Sequence, residues 1–187
     1  MKIAIIAWGS VVWRPADLPF SESDPEWHKD GPVLPLEFSR ISKDARLTLV
    51  LDDTGTKLPT LHRQSDRSCL TDAVADLRDR ECTLIKNIGY VNTDGKATSL
   101  TKYPVQFNAH DTVRAWLGNT QLYDAAVWTA LPSNFSAQRG QFSNDAATDY
   151  LRALPEVVRK NAIDYIRKAP DQITTALRQH LSKAKLI

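Results

Sequence analysis

One short stretch near the start of the sequence constrains the fold more than any other feature. Lys2 to Trp8 (KIAIIAW) is a nearly uninterrupted apolar run that stops at Gly9-Ser10. A run of this length, bounded by a turn signal, is typical of a buried strand. Because a buried strand needs other elements to cover it, the rest of the chain has to supply those layers.

Up to residue 131 the pattern is mainly that of strands around one long helix. The helix is predicted over 68–82 with Ser68 as its cap, because apolar residues from Leu70 to Leu77 recur at helical spacing. Strands are predicted at 33–41, 46–51, 57–62, 85–90 and 123–131, with a hairpin tip at 43–44 and a short second helix at 111–117.

The character of the sequence changes after Pro132. Three apolar stripes with helical spacing follow, separated by Pro155 and Pro170. We therefore predict an α+β fold, a small mixed β-barrel or bent sheet with packed helices and a helical C-terminal extension. The chain is expected to form one domain, 1–187, with the sheet part over 1–131 and the extension over 132–187 packed on it.

Composition excludes several classes of function. Lys plus Arg number 24 and Asp plus Glu number 22, so the net charge of +2 argues against a nucleic-acid partner. Cys69 and Cys82 lie too far apart on the predicted helix for a disulfide, and the four histidines lack metal-ligand spacing, so no metal is expected. No apolar run is long enough to cross a bilayer, and the N-terminus lacks the pattern of a signal peptide. These features predict a cytoplasmic protein without a membrane partner; an oligomer remains possible.

Glu81 is the most informative single residue. A helical projection places it close to the centre of the apolar stripe, at the last turn of the predicted helix. Burial and the negative end of the helix dipole both disfavour a charged carboxylate there, as in a general base that works near neutral pH. Glutamine in its place is then expected to keep or slightly raise stability. The alternative is that the helix frays and Glu81 reaches solvent.

The break in the first apolar run is the second informative feature. A strand that stops at Gly9-Ser10 and resumes at Val11 can expose consecutive backbone N–H groups to a ligand. A β-bulge or tight turn without a ligand is the alternative.

Two segments resemble the gamma-glutamylcyclotransferase family, most closely its ChaC branch. Residues 8–15 (WGSVVWRP) are similar to the Tyr-Gly-Ser-Leu-Ile-Trp-x-Pro segment of that branch, and residues 72–81 (DAVADLRDRE) are similar to the family helix that ends in Arg-Glu. The resemblance covers roughly the first 130 residues in order and spacing. It departs from the family at Trp8, where the family has tyrosine, and at Cys82-Thr83, where glycine is usual.

The resemblance implies an enzyme that converts a γ-glutamyl peptide or amine to 5-oxoproline and releases the amine. Glu81 would be the general acid and base, and no metal or organic cofactor would be needed. Substrate-binding residues would come from the first segment, and Tyr90 would correspond to a family tyrosine near the site. Arg40, at the end of a predicted strand, is a candidate carboxylate partner, although surface arginines are commoner. The substrate-binding candidates are Trp8, Gly9, Ser10, Val11, Tyr90 and Arg40.

Two other hypotheses remain open at this point. The amphipathic segment from Asp171 to Ile187 could dock on another protein, which would suit a non-catalytic ligand-binding or interaction module on the same fold. A different amide-processing reaction at the same site is the weaker alternative.

Overall fold

Seven strands and six α-helices form in the part of the chain that the computed structural model describes, residues 1–99 and 104–187. The strands are β1 (Ile3–Ala7), β2 (Val33–Ile41), β3 (Leu47–Leu51), β4 (Thr56–Pro59), β5 (Leu61–Gln64), β6 (Ile88–Asn92) and β7 (Ala125–Thr129). The helices are α1 (Leu70–Arg80), α2 (Pro104–Thr120), α3 (Phe135–Arg139), α4 (Asn144–Ala153), α5 (Glu156–Arg167) and α6 (Ala176–Lys183), and Ile85–Asn87 is a 3₁₀ turn.

The strands divide into two sheets, in the orders β5-β1-β7-β6 and β3-β2-β4. The α+β class is thus confirmed, but the described residues form no closed barrel. One reason lies in the segment 57–62, which was expected to be a single strand. Pro59 has no N–H to donate, and buried Thr60 turns its N–H and hydroxyl to the carbonyl of Pro32. The chain therefore leaves the second sheet at β4 and enters the first at β5.

β1 lies inside the first sheet, as its apolar run predicts. It pairs antiparallel with β5 and parallel with β7, and all five of its residues are buried. Alternate residues such as Ile5 pack with Val74 and Leu77 of α1. The residues between them, such as Ile6, point to the opposite face of the sheet and pack toward the second sheet and the C-terminal helices. The apolar run therefore serves two layers, which explains its lack of alternation.

The C-terminal helices share the core of the second sheet. Apolar residues of α4, α5 and α6 pack in one cluster with β2 and β3. At the start of α6, the backbone N–H of Leu177 donates to the buried carboxylate of Glu37 on β2 at 3.2 Å. Burial raises the pKa of Glu37. Gln172, just before α6, donates to the carbonyl of Pro59 at 2.8 Å.

Two local predictions about the helices were wrong. α2 extends well beyond 111–117, because its buried side continues to Ala109 and His110, which pack in the core. α1 begins one residue later than a Ser68 cap requires, with Cys69 at the N-cap and no side-chain hydrogen bond there.

Among the helices of the described ranges, none has the length and apolar character that a membrane crossing requires.

Candidate active site at the end of helix α1

Arg80 joins the two segments that sequence analysis singled out. Its guanidinium contacts the Glu81 carboxylate and donates to the Ser10 hydroxyl at 3.2 Å and to the Arg14 carbonyl at 2.6 Å. The Arg80 side chain is only 8% exposed, so these contacts are shielded from water. The end of α1 therefore lies against the turn that follows β1.

The Glu81 carboxylate is anchored on one side and open on the other. Its side chain is 15% exposed, so the helix end does not release it into solvent. Oε1 is held by Arg80, whereas no donor among the described residues contacts Oε2. A carboxylate with one anchored oxygen and one open oxygen can accept a proton without losing its position.

A left-handed residue ends α1 and fixes the direction of this carboxylate. Cys82 has φ of +47°, and its N–H donates to the carbonyl of Asp79 at 3.0 Å. The N–H of Thr83 donates to the carbonyl of Arg78 at 3.2 Å. This pair of bonds is a Schellman motif, in which glycine is the usual left-handed residue. Cys82 thus occupies the position of the glycine that commonly follows Arg-Glu in the resembled family.

The turn after β1 presents three unused backbone donors. It is closed by bonds from Val12 N–H to the Gly9 carbonyl at 3.0 Å and from Arg14 N–H to the Ser10 carbonyl at 2.9 Å. Within the described parts of the chain, the N–H groups of Gly9, Ser10 and Val11 have no hydrogen-bond acceptor. Consecutive free N–H groups favour the binding of a negatively charged oxygen.

The side chains of the first segment have different positions. Trp8 is buried between the layers, and its indole N–H donates to the Leu49 carbonyl at 3.3 Å. Val11 packs its side chain into the core under α1. Ser10 alone of these side chains contacts Arg80. The first segment therefore contributes one hydroxyl and its backbone, while its larger side chains stabilise the fold.

The two more distant candidates have structural partners. Tyr90 lies on β6, half-buried against the core under α1, and its backbone N–H donates to the Ser99 hydroxyl at 3.1 Å. Arg40 donates to the carbonyl of Pro132 at 2.7 Å, in the segment after β7. That bond links the two sheets at this point.

Tyr165 of α5 is a site residue that sequence analysis missed. A Cβ added at Gly9 would lie 3.2 Å from the Tyr165 hydroxyl, so the phenol lies directly against the turn. Burial, and next the negative charge of Glu81, raise the pKa of Tyr165; hydrogen bonding from the Ser10 side chain and the Leu49 backbone acts in the opposite direction. The hydroxyl is therefore a neutral group that can donate a hydrogen bond.

Two side chains hold the Tyr165 ring. Trp13 meets it edge-on with centroids 5.4 Å apart, and the Arg46 guanidinium lies 5.3 Å from its centroid. Arg46 also pairs with Asp44 at 2.9 Å. A tyrosine on the apolar stripe of a helix was a usable signal, because a buried phenol needs a polar neighbour.

Within the described residues, no group of three or more His, Cys, Asp or Glu side chains is arranged to hold a metal ion. Comparisons with models of known families, with curated proteins and with solved structures found no match. The function is therefore inferred from the chemistry of the site.

Proposed function

We propose that this protein is a gamma-glutamylcyclotransferase-like enzyme, which converts a γ-glutamyl peptide or amine to 5-oxoproline and a free amine. The observation that carries the proposal is the meeting of a mostly buried carboxylate, Glu81, with a turn of three free N–H groups at Gly9 to Val11. The first can move a proton, and the second can hold a negative oxygen. An intramolecular aminolysis needs both.

The first step forms a ring within the substrate. The open oxygen of Glu81 takes one proton from the α-ammonium group, and the resulting amine attacks the γ-carbonyl carbon. The new C–N bond closes a five-membered ring and moves an electron pair onto the carbonyl oxygen. Because nucleophile and electrophile belong to one molecule, holding the chain in a bent conformation supplies much of the rate. The free N–H groups of the turn stabilise the new oxyanion.

The second step releases the amine. The oxyanion collapses to a carbonyl, the original amide C–N bond breaks, and Glu81 returns its proton to the leaving nitrogen. After the attack the ring nitrogen still carries one proton too many and a positive charge. It gives this proton to the released amine, which leaves as an ammonium ion, so 5-oxoproline and the protonated amine account for all atoms and charges without an external reactant. Arg80 keeps Glu81 in place through both transfers, since its other bonds tie it to Ser10 and Arg14.

This proposal includes the finer fold type and the location. The arrangement of β1, its turn and α1 is the part that the cyclotransferase-like fold would require, and the cytoplasm is the expected compartment. The alternative, a non-catalytic ligand-binding or interaction module, was motivated by the segment from Asp171 to Ile187. That segment contains α6, which packs on β2 of the same chain through the Leu177–Glu37 bond, and this favours the enzyme over the module.

The test is a panel of γ-glutamyl peptides and γ-glutamyl amines, with the matching α-glutamyl isomers as controls. The isomers have the same atoms, but their side-chain carboxyl is not an amide and cannot release an amine by this route. We expect equimolar 5-oxoproline and amine from some γ-glutamyl compounds and none from the isomers. Saturable binding without product would favour a binding module. The absence of both binding and product would contradict the proposal.

A further inference from the structure

Three tyrosines of the described chain are buried, and their hydroxyl groups differ in one respect. Tyr123 has the ring nitrogen Nδ1 of His62 at 3.1 Å, and Tyr150 donates to the Ala45 carbonyl at 2.9 Å. The Tyr165 hydroxyl instead lies against the Gly9 turn, 3.2 Å from the position that a Gly9 Cβ would take. Of the three buried phenols, Tyr165 is therefore the one whose hydroxyl lies beside the candidate site.

The neighbouring groups can leave the Tyr165 proton available to a ligand. Arg80 donates to the Ser10 hydroxyl at 3.2 Å, and the Ser10 proton can then point to the phenolic oxygen. Burial and the charge of Glu81 raise the pKa of Tyr165, and hydrogen bonding by Ser10 and the Leu49 backbone opposes them, so the phenol stays protonated. With Ser10 as the donor, the proton of the phenol can be given to an oxygen that enters the turn.

The ring has little freedom to swing away from this position. Trp13 and Arg46 contact it at 5.4 Å and 5.3 Å between centres, and Phe38 lies edge-on at 6.4 Å. The hydroxyl also lies where a Gly9 side chain would begin. A donor held in place before the ligand arrives is the kind that stabilises developing charge at least cost in reorganisation.

We propose that the Tyr165 hydroxyl donates a hydrogen bond to the substrate oxygen that becomes negative in the ring-closing step, beside the free N–H groups of the Gly9 turn. This inference rests on the proposed function and assigns a catalytic residue to the C-terminal extension. Tyr165 keeps its proton throughout, because Glu81 carries out both proton transfers. The hydrogen bond strengthens as the oxyanion forms and weakens again as it collapses.

The experiment compares Tyr165→Phe with Tyr123→Phe, two variants that each remove one hydroxyl from a buried tyrosine. The substrate is the γ-glutamyl compound of the panel that the unmodified protein converts fastest. We expect Tyr165→Phe to lower kcat by about 10²- to 10³-fold with KM changed by little, as for the loss of one oxyanion donor. Tyr123→Phe is expected to keep kcat within about twofold, since Tyr123 lies away from the site.

The outcomes separate this inference from the proposed function. Full kcat in Tyr165→Phe, with product still formed, would overturn the role of Tyr165 and leave the cyclotransferase proposal intact. A rise in KM at unchanged kcat would also overturn it, because the hydroxyl would then bind only the ground state. Absence of product from every compound with the unmodified protein would remove both. A lower melting temperature with an equal loss of kcat in both variants would indicate a structural role and contradict the inference.

Discussion

Two polar clusters of the described residues each place a buried tyrosine beside a carboxylate. The histidine cluster consists of Asp30, His62 and Tyr123. The glutamate cluster consists of Ser10, Arg80, Glu81 and Tyr165. They differ in whether the protein itself satisfies their hydrogen-bonding groups.

The histidine cluster is closed. His62 has Asp30 Oδ1 at 3.0 Å from Nε2 and the Tyr123 hydroxyl at 3.1 Å from Nδ1. Because an ionised carboxylate can only accept, Nε2 carries the proton and Nδ1 accepts from the phenol. The indole N–H of Trp116 donates to the backbone carbonyl of Asp30 at 3.2 Å. Each ring nitrogen and the phenol thus has a partner, so this cluster serves the fold.

The glutamate cluster is open. Among the described residues, Glu81 Oε2 has no donor, the N–H groups at Gly9 to Val11 have no acceptor, and the Tyr165 hydroxyl lies against that turn. These groups are therefore available to a ligand, whereas those of the histidine cluster bind one another. The two clusters contain similar residue types. What separates the structural cluster from the candidate site is whether each polar group has a hydrogen-bond partner within the protein.

The largest expected effect tests the open cluster. Glu81→Gln keeps the shape of the side chain but cannot take the ammonium proton, so kcat is expected to fall by about 10²- to 10⁴-fold. Arg80 also changes the expectation that sequence analysis gave for stability. The amide leaves a guanidinium that is only 8% exposed without its counter-charge, so the free energy of unfolding should fall by about 1–2 kcal/mol.

The control for that variant is Asp79→Asn, which removes the neighbouring carboxylate. Asp79 is exposed and pairs with Arg78, away from Ser10. It should change neither 5-oxoproline formation nor stability by a measurable amount. Equal turnover in Glu81→Gln and Asp79→Asn would end the proposed role of Glu81.

The next effect compares the two clusters directly by chemical denaturation. Tyr123→Phe removes the hydroxyl that is hydrogen-bonded to His62. Nδ1 of His62 is then buried without its donor, so the free energy of unfolding should fall by about 1–3 kcal/mol. Tyr165→Phe leaves no buried ring nitrogen or carbonyl of the described residues without its donor, and the change should stay within about 0.5 kcal/mol. A larger loss for Tyr165→Phe than for Tyr123→Phe would reverse the distinction between closed and open clusters.

A double-mutant cycle tests the close approach of Gly9 and Tyr165. Gly9→Ala puts a methyl group 3.2 Å from the phenolic oxygen, which is tight, and should cost about 1 kcal/mol of stability. In the Tyr165→Phe background that oxygen is gone, so the same alanine should cost less by at least about 0.5 kcal/mol. Additive losses would show that the two residues do not touch in solution.

The closed cluster also predicts a pH dependence. Burial lowers the pKa of His62 below its ordinary value of 6.5, against the opposing effect of Asp30. The unfolded chain therefore takes up the proton first as pH falls, so the stability is full above about pH 6.5 and declines as pH drops toward the lowered pKa. His62→Gln should flatten this decline in urea unfolding between about pH 5 and pH 8, whereas His180→Gln should keep it. An unchanged slope in His62→Gln would assign the decline to another group.

Local patterns predicted a strand or a helix well where the spacing of apolar residues allowed only one of the two. The run before Gly9 became β1, and the apolar stripe from Leu70 became α1, because burial of those side chains has one geometric solution in each case. The exchange of sheets at Pro59 was not predictable from spacing, since it depends on the distant carbonyl of Pro32. Long-range partners of this kind leave no local pattern.

The residues of the candidate site also divide into those that local sequence patterns predict and those that depend on long-range packing. Glu81 and the Gly9 turn could be proposed from periodicity and a resemblance, because both lie beside elements with strong local patterns. Tyr165 lies on α5, after Pro132, and Arg46 directly precedes β3, and only the packing of α5 brings them to the turn. A helical stripe reveals that a tyrosine is buried but not which backbone it meets.

The smallest expected effect concerns the turn that directs Glu81, where this sequence has cysteine and the resembled family has glycine. Cys82 adopts φ of +47°, a region in which any side chain is strained and glycine is not. Its thiol is exposed and makes one weak contact, to the Asp79 carbonyl at 3.5 Å. Cys82→Gly should therefore raise the free energy of unfolding by about 0.5–1 kcal/mol, the relief of strain being partly offset by the flexibility of glycine in the unfolded chain. Because the Schellman bonds from residues 82 and 83 stay in place, Glu81 should keep its position and kcat should not change. Cys82→Ala is the matched control, since it also removes the thiol but keeps a side chain at φ of +47°, so the strain should remain and stability should not rise. If Cys82→Gly lost stability, the left-handed turn at the end of α1 would not form as described, and the Glu81 carboxylate would lose its fixed direction.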